Sequence, residues 1–312
     1  MKKPKVSVSL ITYNQEEYIG KCLDSVISQV TDFDFEIVVA DDCSTDRTPQ
    51  IVSEYAIKYP NLIKPILRQA NLGISENGIS TIKACSGQYI ALLEGDDFWV
   101  DDHKLQIQAD YLDKNEDCVF CFTNQYYFYD DEIVPAKMHV FYTEGKKPPE
   151  KFERDFFLKN NLIIPNNTKM FRREATPEIL PDWFYHSVNW DWVLHIFQSA
   201  NGKIGYIDRV TLAYRRHSEA VFMSKDDIKI LLNGIDTIKA VNKYLNYQYD
   251  YRLKNLSWEY HELAFAYLKN RNLVSFLAYY IKYISALNRL GEIKVKDDLS
   301  LVKTALKKKI VR

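Results

Sequence analysis

Three polar clusters in the first hundred residues have the makings of a site for a metal ion and a phosphate: Thr12-Tyr13-Asn14, Asp41-Asp42 and Glu94-Gly95-Asp96-Asp97. Paired aspartates offer hard carboxylate oxygens, the donors that Mg2+ and Mn2+ prefer. A cation held there can neutralise a diphosphate as charge develops on it. A fixed carboxylate at Asp41 or Asp42 could accept the ring N–H of a uracil. Gly95 allows a ligand close approach to the backbone. The same residue types have plainer uses, because aspartates cap helices and Ser44, Thr45 and Asp46 form turns. One Asp pair alone would favour the cap. Two pairs directed to one crevice favour the ion.

The elements predicted around these clusters explain why they should meet. Lys5 to Thr12 reads as a strand, Glu16 to Gln29 as an amphipathic helix and Phe35 to Ala40 as a second, nearly all-apolar strand. Thr48-Pro49 opens a helix that should reach Tyr59, before Pro60. Strands at Ile63–Leu67 and Tyr89–Leu93 follow, separated by a helix from Ser75 to Ala84. A helix at Lys104–Leu112 and a strand at Cys118–Thr123 continue the alternation. Such a rhythm predicts an α/β, mostly parallel, doubly wound sheet. Each cluster then sits at the carboxyl end of a strand, where open α/β sheets bind their ligands. A short helix near Asp191–Ser199 and a strand at Lys203–Ile207 come later, and the chain reads as helical and tyrosine-rich after Lys225.

Val6-Ser-Val-Ser-Leu-Ile-Thr-Tyr-Asn14, Asp41-Asp-Cys-Ser-Thr-Asp46, Asn71-Leu-Gly73 and Glu94-Gly-Asp-Asp-Phe-Trp99, in that order and spacing, resemble glycosyltransferase family 2. The likeness runs from about residue 5 to about residue 220. It implies a GT-A fold, an inverting transfer of sugar from a nucleoside-diphosphate donor and a divalent metal, Mn2+ or Mg2+. Carried over residue by residue, it implies that Thr12 and Asp41 or Asp42 hold the base, with Tyr13, Asn14 and Asn71 lining the nucleotide site. Asp96 would contact the ribose and Asp97 would ligate the metal. Glu94 stands where the family's D-x-D signature has its first aspartate.

Asn189-Trp-Asp-Trp192 resembles the segment that brings the family's catalytic base to the acceptor, so Asp191 is the expected base. A solvated cap on a helix burying Trp190 and Trp192 is the plainer reading. Tyr214-Arg-Arg-His217 resembles a later family segment. It implies His217 on the metal or diphosphate and Arg215 and Arg216 on the phosphates.

Composition sets limits on partners. The 312 residues carry 41 basic and 42 acidic side chains, a net charge of −1 that gives no overall attraction to nucleic acid. The five cysteines are scattered. Cys118-x-x-Cys121 lies in an apolar run with no second pair, which argues against zinc and suits a reducing compartment. Met1-Lys-Lys-Pro-Lys5 leads straight into a strand, so neither a secretion signal nor a glycosylated Asn166-Asn-Thr168 is expected. The expected location is cytoplasmic.

The division expected is a catalytic domain over 1–222, with a donor half to 125 and an acceptor half beyond it, then a helical extension over 223–312. The basic and apolar tail, Leu301 to Arg312, has the character of a segment that could rest on an anionic membrane near a lipid-linked saccharide acceptor. A solvated end to a helical hairpin is the simpler reading. Other classes fit less well. A nucleotidyltransferase wants a glycine-rich loop after the first strand, and a receiver domain would be much shorter. A non-catalytic binder of nucleotide-sugar keeps the same motifs and stays open.

Overall fold

The computed structural model describes residues 3–129, 132–134, 147–160, 162, 164–216, 227–248 and 251–290. The chain divides into two compact units, Met1–Ser218 and Glu219–Arg312.

The first unit is an α/β sheet structure. Its strands are β1 (Val6–Thr12), β2 (Phe35–Asp41), β3 (Ile63–Leu67), β4 (Tyr89–Glu94), β5 (Phe98–Trp99), β6 (Cys118–Tyr129), β7 (Glu132–Val134), β8 (Lys151–Phe152), β9 (Met170–Arg172) and β10 (Lys203–Arg216). The helices between them are α1 (Ile19–Ile27), α2 (Thr48–Lys58), α3 (Ile74–Ala84), α4 (Lys104–Lys114), α5 (Arg154–Lys159) and α6 (Trp190–Gln198). The described strands form one sheet in the order β3-β2-β1-β4-β9-β6-β10-β5, with β7 on β6 and β8 on β10. Both faces of β1 and β4 are covered, so even Ser7 and Ser9 are buried. Their hydroxyls then need partners, and Ser7 finds one by donating to Glu36 at 2.6 Å. Helix α1 turns Ile19, Cys22, Leu23 and Val26 into this core, the stripe its apolar spacing predicts.

Register is what builds the site. β1 lies parallel to both β2 and β4, with Thr12 beside Asp41 and Ile11 beside Glu94. The three predicted clusters therefore end at one level. The alternating pattern did not predict the antiparallel members of the sheet: β5 and β8 pair with β10, and β7 with β6. Short β9 inserts antiparallel between β4 and β6. Its three residues carry no alternation long enough to read. Strands β6 and β10 also run further than the sequence suggests, and as parallel partners they carry Arg215 and Arg216 to the same end of the sheet. Cys118 and Cys121 are buried, unbridged thiols in the core.

The second unit is helical where described: α7 (Asp227–Tyr244), α8 (Tyr251–Lys269) and α9 (Leu273–Leu290). Aromatic pairs join the last two, including Tyr267 on Tyr279 at 5.6 Å between ring centres. Among the described residues no helix is long and apolar enough to cross a membrane. The tail proposed to touch one lies outside the described residues.

Candidate active site

The loops after β1 and β2 are laced together by short side chains, which gives their many polar residues a mechanical task. Asn14 and Cys43 both adopt left-handed backbone, φ 51° and 64°. The bend at Asn14 lets its N–H donate to Ser44 Oγ at 2.8 Å, while its Oδ1 accepts from the Thr45 N–H at 2.8 Å. Gln15 N–H donates to Thr48 Oγ1, and Glu16 N–H to Asp46. Thr12 is buried and donates to Gln15 Oε1 at 2.8 Å.

Asp41 and Asp42, expected at the base, are both buried and both engaged by the protein. Asp41 accepts from the backbone and hydroxyl of Ser44. Asp42 accepts the N–H groups of Leu72 and Gly73 at 2.8 and 2.9 Å, and Asn71 donates to the Asp42 carbonyl. These bonds fix the walls of the crevice. Tyr13, 46% exposed, offers the open ring beside them.

The Glu94–Asp97 turn is acidic and crowded. A Cβ on Gly95 would come within 2.6 Å of Gln15 Oε1 and 2.7 Å of Thr12 Oγ1, so only glycine lets the turn lie against β1. Asp97, expected on the metal, is 1% exposed, with Oδ1 accepting from Arg215 N–H at 2.8 Å and Oδ2 from Asn167 Nδ2 at 2.5 Å. Asp96, expected on the ribose, is the partly exposed aspartate of the pair. The structure thus gives Asp97 the anchoring position and Asp96 the accessible one. Burial, with the charges of Asp96 and Asp191 behind it, pushes the Glu94 carboxyl up to about 8. Burial and Asp96 likewise raise Asp97.

Such mutual repulsion is what a bound cation relieves. Buried Asn166 Oδ1 and Asn167 Oδ1, beside the cluster, accept no hydrogen bond. An acid-rich turn with spare amide oxygens fits a hard divalent ion. Among the described residues no set of three or more acidic, histidine or cysteine side chains forms a ready metal cage. Ions of this kind commonly take one or two carboxylates and complete their shell with substrate phosphates.

Asp191 comes to this cluster on the first turn of α6. Its position depends on Trp190, whose indole lies so close to α3 that a Cβ on Gly78 would meet it at 2.8 Å. Ser75 of α3 also donates to the Ser187 carbonyl at 2.6 Å. Asp191 is partly exposed, and burial raises its carboxyl above the ordinary range, opposed by N–H donors and Lys169. Its charge is felt at Glu94, across the crevice.

Arg215 is brought to the cluster but is held firmly there. Its Nε donates to the Asp96 carbonyl at 2.9 Å, and its guanidinium lies over Tyr18 and Phe128 at 4.6 and 4.7 Å. Arg216 rests on Tyr127 at 4.8 Å. His217, expected on the metal, lies outside the described residues.

Sequence reasoning missed Asn166, Asn167 and Lys169. Residues Asn166–Thr168 form a single 3-10 turn before β9, with Thr168 and Asn167 buried. Reading the segment as a loop leaves out its hold on Asp97. Only the position of a lysine among apolar neighbours, Lys169-Met170-Phe171, hinted at a buried role.

A mostly parallel sheet with an antiparallel insert and an acidic turn at its carboxyl edge is the GT-A architecture. It is shared with S. aureus TarS 1–349 in complex with UDP-GlcNAc, at TM-score 0.56 and 19% identity over 93% of each chain. A mannosyltransferase of Pyrobaculum calidifontis, in complex with GDP-Man and Mn2+, shares it at TM-score 0.57 and 15% identity over 98% of this chain and 81% of that one. Residues 7–180, more than half of the chain, match the family described as Glycosyl transferase family 2. The chain belongs to that family. It is 37% identical to an uncharacterized protein of Mycobacterium tuberculosis, Rv1520, over 70% of this chain, and the match spans 61% of that protein's length. It is 32% identical to a putative teichuronic acid biosynthesis glycosyltransferase of Bacillus subtilis, TuaG, over 57% of this chain and 66% of that one.

Proposed function

We propose that the protein is an inverting glycosyltransferase that moves a sugar from a nucleoside diphosphate, UDP by preference, to a hydroxyl of a glycan or lipid-linked saccharide in cell-surface polysaccharide synthesis. The observation that carries this reading is the meeting of Asp191 with the Glu94–Asp97 turn at the level where Thr12 and Asp41 end their strands. The names of TuaG and of the TarS complex with UDP-GlcNAc support the substrate class.

Tyr13 and the Asp41–Asn71 wall hold the base. Asp96, braced by Asp97, would hold the metal together with the donor's phosphates. When bound, Mn2+ or Mg2+ neutralises the departing diphosphate. Asp191 takes the proton from the acceptor hydroxyl, so that its O–H bond breaks as an Asp191 O–H bond forms. The acceptor oxygen's electron pair attacks the anomeric carbon from the face opposite the diphosphate. The carbon–oxygen bond to the β-phosphate breaks, and its electron pair leaves with the nucleoside diphosphate. A carboxyl lifted by burial toward neutral pH is a stronger base for this step than a solvated aspartate. Arg215 stiffens the turn rather than clamping phosphate, since its guanidinium is stacked among aromatic rings.

The test pairs binding with turnover. UDP, TDP and GDP are titrated with and without Mn2+ into wild type and Asp191→Asn, and transfer or donor hydrolysis is then followed. Asp191→Asn should keep manganese-dependent binding of one nucleotide and lose about 10²- to 10⁴-fold in rate. A folded wild type that binds no nucleotide would overturn the reading. One that binds yet turns over no faster than Asp191→Asn would point to the non-catalytic binder.

A further inference from the structure

Helix α9 is apolar on two faces, and the described residues cover one of them. The covered face carries Phe276, Tyr283 and Leu287. Phe276 meets Phe265 at 6.0 Å between ring centres and Tyr283 meets His261 at 5.0 Å, which seats this face on α8. The other face carries Val274, Leu277 and Ile281, at i, i+3 and i+7, which are 82%, 55% and 67% exposed. Exposed Leu273 widens the row. A single exposed aliphatic side chain is ordinary. Three in one helical row, each more than half exposed, mark a surface of contact.

The charge around the row selects the partner. Residues 263–291 hold four basic side chains, Lys269, Arg271, Lys282 and Arg289, and no acidic one, in a chain whose net charge is −1. All four are exposed. Lys269 and Arg271 lie just before α9. Lys282 and Arg289, seven residues apart on the helix, form one rim beside the apolar row. A second copy of the chain suits this surface poorly, since pairing α9 about a two-fold axis would bring two basic rims together with no acid between them. An anionic bilayer suits both components, because acyl chains take the aliphatic row and lipid phosphates take the basic rim. No described helix is long and apolar enough to span a bilayer, so the contact runs along its surface.

We propose that α9 lies in the surface of an anionic membrane, with Val274, Leu277 and Ile281 among the acyl chains and Lys269, Arg271, Lys282 and Arg289 at the lipid phosphates. A few aliphatic side chains with a few cations give reversible, salt-sensitive binding rather than permanent insertion. The contact belongs to a folded helix, and the basic segment 301–312 is not required for it. The proposal stands apart from the chemistry of sugar transfer, and an inactive protein that binds vesicles would leave it intact. Where both hold, the helix keeps the enzyme on the surface that displays a lipid-linked acceptor.

The test is flotation of the whole chain with vesicles of phosphatidylcholine alone and of phosphatidylcholine with phosphatidylglycerol, at low and high salt. The protein should float with the anionic vesicles at low salt, less at high salt, and little with the neutral ones. Combining Val274→Gln, Leu277→Gln and Ile281→Gln should lower the partition coefficient by about tenfold or more. The melting temperature should hold, because all three side chains are exposed in the folded chain. Should that triple variant fail to fold, Ile281→Glu carries the test and should weaken binding to the anionic vesicles. Wild type that does not float with anionic vesicles overturns the proposal, as does a folded variant that floats like wild type. Binding kept by the triple variant and lost on deleting residues 291–312 assigns the contact to the tail and equally overturns it. Light scattering without lipid reads the remaining alternative. A wild-type dimer that the triple variant dissociates means that a second copy covers the row, which also sinks the proposal.

Discussion

Adjacent aspartates at 96 and 97 look interchangeable in a sequence and differ sharply in place. Asp97 spends both oxygens on Arg215 N–H and Asn167 Nδ2, bonds that tie β10 and the turn before β9 to the acidic loop. In Asp97→Asn one of those acceptors becomes an N–H donor facing another donor. The expected cost is about 1–3 kcal/mol, seen as a lower thermal midpoint even without metal. Asp96→Asn removes one charge from a mutually repelling group, so its metal-free midpoint should hold or rise while manganese-dependent nucleotide binding is lost. Thermal melts with and without Mn2+ and nucleotide separate the two. Equal losses of stability would show that both carboxylates are structural.

Between elements, the decisive contact is α3 against α6. Gly78 in a helix interior would ordinarily be improved by alanine, by roughly 0.5–1 kcal/mol. Here the added methyl would enter the Trp190 ring, and Trp190 immediately precedes Asp191. Gly78→Ala should therefore shift the start of α6. Small misplacements of a catalytic group can cost as much as ~10²-fold in rate. The expected result is a fall in kcat with nucleotide affinity retained, read from transfer kinetics beside a binding isotherm. An unchanged kcat would mean that α6 is positioned without this contact.

Across the molecule, charge is used differently at the two ends of the parallel strands. At the carboxyl ends burial and neighbouring acids raise Glu94 and Asp97. Toward the amino ends, Glu36 on β2 is buried, which would raise its carboxyl. Bonds from Lys64, Ser7 and Ser86 outweigh that and bring it down to about 2. Because its folded value lies below the ordinary 4.5, the folded state binds a proton less readily than the unfolded chain. Its contribution is complete above about pH 4.5 and is lost as pH falls toward 2. The size is on the order of 3 kcal/mol. Glu36→Gln should be less stable at pH 7 and show a flatter loss of stability below pH 4.5, as read from denaturant unfolding at a series of pH values. A parallel pair of curves would remove Glu36 from the acid response.

The sequence by itself determined the alternation of strands and helices in the first 125 residues and the placing of three acidic or polar clusters at strand ends. Those signals are local: apolar runs of strand length, helical spacing and turn residues are written in consecutive letters. It also singled out Asp191, through Asn189-Trp-Asp-Trp192 and the resemblance those residues carry. Only the tertiary structure decided which aspartate of a pair faces inward, because that depends on donors from residues 167 and 215, far away in the chain. The antiparallel insertion of β9, the closure of Gly78 on Trp190 and the burial of Lys169 have the same origin. Each is a contact between distant segments, fixed by strand register and packing, with no repeat or spacing to announce it.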